Sequence, residues 1–249
     1  MLVQSYIIYF FYLCGAMCFS VFSLRRLLAE RAEPDYARFS ASLLPAGALP
    51  VWGVRIPTLR GWAREWGRGD WRSALLAIAV DSSLEEALLR GFIVGYARMD
   101  MQERLQWIER LLPEMKGWSI CDSCTATFKD LARHRPAVWQ WLHSLELASS
   151  GDEFRQRFLA VCMMDYFLTD EYVERVLDEL AAIRPVGYYA AMGVAWALSV
   201  CYIRYPRLTL QCLRSSSLDD ETRRMAVVKI CESRRVTSVV KKSLKSILQ

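Results

Sequence analysis

Histidine is nearly missing from this sequence: His134 and His143 are the only two in 249 residues, and no ligand pattern surrounds either. Imidazole-based metal sites and nucleophile–base triads are thereby all but excluded. The eight cysteines stand at 14, 18, 121, 124, 162, 201, 212 and 231, mostly within apolar runs, and the single CxxC, Cys121 to Cys124, has no second pair at finger spacing. This reads as buried, reduced thiols of a cytoplasmic protein, with no disulfide framework, no zinc and no cofactor implied. Glycine and proline are sparse, 12 and 8, which excludes collagen-like and low-complexity chains. Sustained period-two alternation, the mark of a half-buried strand, is absent too.

What remains is 53% hydrophobic and 24% charged, a composition that folds. Apolar residues recur at helical spacing through Leu105–Leu112, Phe154–Leu168, Tyr172–Ile183, Tyr188–Ile203 and Met225–Ile230. A further stripe, Leu84, Ala87, Leu88, Gly91, Phe92 and Gly95, follows Ser82 with Glu85 three residues on, a capping box. Short breaks at Pro113–Gly117, Ser149–Asp152 and Arg184–Gly187 separate these stripes, and no linker long enough to divide domains follows Gly47. Short helices joined by short turns predict an all-α fold of stacked antiparallel pairs. Trp118, Arg157 and Trp196 are each 39 residues apart, near the period of HEAT-type units. They are expected at equivalent places in three consecutive units, on one concave face, unless the spacing is coincidence among nine tryptophans and many arginines. Trp62, Trp66, Trp71, Trp107, Trp139 and Trp141, with Met163 and Met164, read as core.

Ser5–Leu24 carries no charge and is followed by Arg25 and Arg26, the reverse of a secretory signal. It reads either as a genuine apolar helix, able to tether the protein to a membrane, or as upstream sequence before a start at Met17. The folded domain is expected over residues 25–249. The net charge is +5, and from Leu213 onward nine basic residues face four acidic ones, so the C-terminal end holds the whole surplus. A polyanion is the candidate partner there.

The densest local constellation is Gly117–Cys124, GWSICDSC. A helix starting near Gly117 puts Trp118 and Asp122 on one face, an indole plate beside a carboxylate. Such a pair suits a cationic or cation-forming substrate. The alternative is a core tryptophan with Asp122 capping a helix or pairing with Lys116 or Lys129.

Four strings taken together, VWGVRIPTLRGWARE (Val51–Glu65), KGWSICDSC, FRQRFLAVCMMDYFL (Phe154–Leu168) and IRPVGYYAAMGVAWALSV (Ile183–Val200), resemble the DNA alkylation repair enzymes, the AlkD-like glycosylases. The likeness runs from about Arg25 to the C-terminus in the family's order. It implies a superhelical α-solenoid of HEAT-like pairs, a monomer, whose concave basic face cups duplex DNA containing alkylated purines. It also implies hydrolysis of the N-glycosidic bond of N3- and N7-alkylpurines without base flipping. The family's two tryptophans and aspartate fall on Trp118, Trp196 and Asp122, and its phosphate-contacting arginine on Arg157. Its G-x-x-T-P turn appears as Gly53-Val54-Arg55-Ile56-Pro57-Thr58, with Arg55 where well-studied members carry a glutamine. Further DNA contacts are expected from Arg55, Arg223, Arg224, Lys229, Arg234 and Arg235, with Lys241 and Lys242 beside them. The alternative within the same fold is a non-catalytic HEAT-like module that binds DNA or protein through its concave face.

Overall fold

A computed structural model describes residues 21–45, 47–215 and 217–245, and among these every regular element is helical. The chain runs α1 (Val21–Arg31), α2 (Pro34–Ser42), α3 (Ile56–Trp66), α4 (Trp71–Ala77), α5 (Leu84–Tyr96), α6 (Met101–Leu111) and α7 (Trp118–Thr125). It continues through α8 (Arg135–Ser144), α9 (Glu153–Tyr166), α10 (Val173–Ala182), α11 (Tyr188–Arg204), α12 (Pro206–Arg214), α13 (Asp220–Glu232) and α14 (Ser238–Lys245). From α3 onward the odd-numbered helices pack on one another in succession, and α4, α6, α10, α12 and α14 each pack against an odd-numbered neighbour. This is an α-solenoid.

Local chemistry sets the boundaries. Asp100, Asp152 and Asp219 cap α6, α9 and α13 by accepting from the amides of Glu103, Phe154 and Thr222, each at 2.8 Å. Pro34, Pro57, Pro136 and Pro206 sit in first turns, where their missing N–H costs nothing. The capping box of α5 lies one residue beyond the expected pair: Ser83 accepts from the Glu86 amide at 3.2 Å, while Ser82 turns back to the Ala79 carbonyl. Glu85 is thereby freed for another task. Fully buried, its carboxylate accepts from the amides of Trp52, Gly53 and Val54 at 3.0, 2.7 and 3.1 Å, pinning the turn that leads into α3. Gly53 is obligatory in that turn, with φ at +91° and the Glu33 carbonyl 2.5 Å from where a Cβ would stand.

The core is continuous through the layer, with Phe92, Phe128, Phe158 and Phe167 completely buried. Trp66, Trp71 and Trp139 are buried and Trp62, Trp107 and Trp141 pack against the core half-buried, as expected of them; Met163 and Met164 are buried fillers. Inside it, Arg90 meets Glu114 side on at 2.7 and 2.8 Å and donates to the Leu75 carbonyl, so both buried charges are satisfied. The apolar run Ser5–Leu24 lies outside the described residues except for its end, which opens α1. There Leu24 and Leu28 are fully buried, so the described fold starts upstream of Arg25. Among the described residues no helix is long and apolar enough to cross a membrane.

Candidate functional site

Helices α7, α9 and α11 begin at Trp118, Glu153 and Tyr188, 35 residues apart. The 39-residue spacing of Trp118, Arg157 and Trp196 is therefore this period plus one helical turn. The three do lie on consecutive helices of the odd layer, but at the first, fifth and ninth positions, so they step diagonally across it rather than occupying equivalent places.

Gly117 caps α7 with extended backbone, and Trp118 and Asp122 follow on one face, as the sequence predicts. Trp118 is half-buried, and its indole Nε1 donates to the Leu43 carbonyl at 3.0 Å, fixing the ring against the end of α2. Asp122 pairs with neither Lys116, which bonds Asp81, nor Lys129. Its partner is Arg157 on α9: Nε donates to Oδ1 and Nη2 to Oδ2, both at 2.8 Å, and Nη1 donates to the Tyr189 carbonyl of α11 at 2.8 Å. Burial alone lowers the guanidinium's pKa, and the hydrogen bonds and charge of Asp122 more than reverse that, leaving it raised. Arg157, expected as a phosphate contact, is 5% exposed and has its donors turned to protein. Gly193 of α11 makes room for it, since a Cβ there would stand 2.9 Å from Arg157 Cγ. Trp196 is half-buried one turn further along α11.

Aromatic rings frame the pair. Phe154 and Tyr189 stack at 5.4 Å, and the exposed Tyr188 meets Tyr189 edge on at 5.3 Å. Glu153 accepts from the Tyr189 amide at 2.9 Å and so fixes the start of α11. Sequence reading passed over these residues, although their positions at the starts of α9 and α11 were open to it. It also missed Asp165, two turns beyond Arg157 on the same face of α9. Asp165 is exposed, yet partial loss of water around its carboxyl, then the charge of Asp122, pushes its pKa up to about 6.

The expected basic contacts divide into two groups. Arg223 is engaged internally, donating to the carbonyls of Leu213, Ser215 and Leu218 at 2.9, 2.7 and 2.8 Å, where it closes the end of α12. Lys229 bonds Glu232 at 2.9 Å. Arg55 donates to both oxygens of Glu33, at 2.8 to 3.1 Å, and lies 4.3 Å from the Tyr36 ring centroid. Arg224, Arg234 and Arg235 are exposed, and their guanidinium groups have no partner among the described residues. The CxxC thiols are fully buried and burial pushes both up, and among the described residues no three potential metal donors come together.

A family model described as DNA alkylation repair enzyme matches residues 24–230. No curated protein and no solved structure matches the chain.

Proposed function

The chain belongs to the DNA alkylation repair enzyme family, and from that premise we propose that it hydrolyses the N-glycosidic bond of N3- and N7-alkylated purines in duplex DNA. The observation that carries the reading is the carboxylate of Asp122, on the same helix as Trp118, held by the side-on grip of Arg157 from the helix between the two tryptophan-bearing ones. An alkylated purine already bears positive charge, so its departure needs no general acid and one carboxylate suffices where sugar hydrolases use two.

As the bond from C1′ to the base breaks, its electron pair neutralises the purine and the deoxyribose becomes an oxocarbenium ion. Each Asp122 oxygen spends one lone pair on Arg157 and keeps another free for this cation or for the attacking water. Water adds to C1′ and passes its proton to the Asp122 carboxylate, which returns it to solvent, completing the hydrolysis. Trp118, fixed by its bond to Leu43, and Trp196 would pack on the sugar and exclude bulk water, which strengthens the electrostatic attraction. In this reading Arg157 positions the carboxylate rather than gripping phosphate.

A second reading, a non-catalytic module that binds DNA, is favoured by how fully Trp118 and Arg157 are committed to protein carbonyls. One experiment separates the two: release of 7-methylguanine from a duplex by the wild type and by Asp122→Asn. The glycosylase reading expects release above the spontaneous rate and a loss of about a hundredfold or more in the variant. Equal release by both proteins would remove Asp122 from the chemistry, and duplex binding without release would establish the binding module.

A further inference from the structure

A cavity of about 520 Å³ opens where α3, α5 and α7 end. Its walls carry Arg60, Arg64, Arg98, Arg104 and Lys129 against one carboxylate, Asp130. Asp130 is already answered by Arg104 at 3.2 Å and Arg133 at 3.5 Å. Arg104 is further committed to the carbonyls of Val94 and Ala97. Among the described residues the other four cations have no carboxylate partner. Arg64 touches only the Tyr96 hydroxyl, at 3.3 Å, and lies over that ring, while Arg60 reaches the Ser123 carbonyl at 3.5 Å and leaves its buried Nε unsatisfied. Arg98 and Lys129 are exposed with no side-chain partner among the described residues. Four like charges around one cavity repel one another unless an anion joins them.

The cavity lies close to the Asp122 site. Ala126 in its wall is four residues after Asp122, one turn of helical geometry, or about 6 Å, along the same face. We propose that this pocket seats backbone phosphates of the duplex next to the sugar presented to Asp122, in the role that Arg157 is not free to fill. The proposal rests on the DNA-repair reading of the Asp122 site. Phosphate contact of this kind is independent of sequence and places the strand rather than reading it.

The test uses the full chain and two phosphate sources: a hairpin duplex, whose phosphates are internal diesters, and adenosine monophosphate. The double variant Arg98→Ala/Lys129→Ala removes two exposed charges, and Arg98→Gln/Lys129→Gln repeats the loss with longer side chains should the first melt early. Both are expected to weaken hairpin binding at least tenfold at 0.1 M salt and to reduce the slope of log affinity against log salt by about two. Unchanged hairpin affinity and slope would overturn the proposal. So would loss of adenosine monophosphate binding with hairpin binding intact, which would assign the pocket to free nucleotide. Base release measured in parallel keeps the two readings apart: a wild type that releases nothing defeats the glycosylase, while a reduced salt slope still upholds the pocket.

Discussion

Arg157 grips Asp122 side on, two bonds of 2.8 Å, and spends its remaining amino group on the Tyr189 carbonyl, so one side chain of α9 ties α7 to α11. Both partners are largely shielded, with side-chain exposures of 6% and 16%. Breaking such a pair from one side leaves the other charge unanswered, at about 3–5 kcal/mol. Arg157→Met is expected to lose that much in denaturant melts and to lower base release about a hundredfold, because the carboxylate is no longer held. Wild-type stability in that variant would mean the pair contributes nothing net.

The same contact makes a prediction about glycine. A methyl group at residue 193 would press on Arg157 Cγ from 2.9 Å, so Gly193→Ala is expected to cost about 1–3 kcal/mol by overpacking. In Arg157→Ala that Cγ is gone, and the cost of Gly193→Ala should fall. A double-mutant cycle in urea reads the coupling directly, and strict additivity would show that the close approach is relieved elsewhere.

How much of this was legible in the sequence follows from what kind of interaction made each feature. The all-α solenoid was legible because periodic apolar stripes and short breaks are local signals, and the face shared by Trp118 and Asp122 followed from helical spacing alone. The α5 cap was displaced by one residue because Ser82 and Ser83 both precede a glutamate by three, and only the buried turn at Trp52–Val54 decides which glutamate is needed there. The partners of Arg157 and Arg223 were not legible: a guanidinium can bind a phosphate, a carboxylate or a helix end, and the choice depends on residues up to 35 positions away. The basic cavity was hidden for the same reason, since Arg64, Arg98 and Lys129 converge only once α3, α5 and α7 are stacked.

Arg55 tests the departure from the family's turn. Its pair with Glu33 is exposed, and the guanidinium's hydrogen bonds hold the Glu33 carboxyl below its usual range. Glu33→Gln removes that counter-charge and is expected to tighten duplex binding at low salt, the difference shrinking as salt rises. Fluorescence anisotropy across a salt series checks it. Unchanged affinity throughout would place Arg55 outside the DNA path.

Four of the thiols should be chemically silent. Cys121, Cys124 and Cys162 are fully buried with pKa values pushed up by loss of solvation, and Cys201 is pushed up to about 12 by the same cause. Since only the thiolate attacks, none of the four is expected to react with a thiol reagent at pH 8 until denaturant is added. Mass-resolved labelling would show it, and fast labelling of Cys121 or Cys124 in the native protein would reopen a redox role for the CxxC.

Asp165 carries the clearest pH dependence. In the unfolded chain its carboxyl ionises near pH 3.9, whereas in the fold partial loss of water around the carboxyl and the charge of Asp122 raise it to about 6. Between those values the folded protein holds more protons than the unfolded one, so this group lowers stability as pH rises from about 4 to 6 and leaves a constant penalty above. Asp165→Asn removes the ionisable group without changing its shape. The variant is expected to melt at a higher temperature than wild type at pH 7.5 and to lose that advantage by pH 4. It should also bind the duplex more tightly at pH 7.5, because one negative charge leaves the neighbourhood of Asp122. An advantage of equal size at both pH values would mean that packing of the amide, rather than ionisation of Asp165, is responsible.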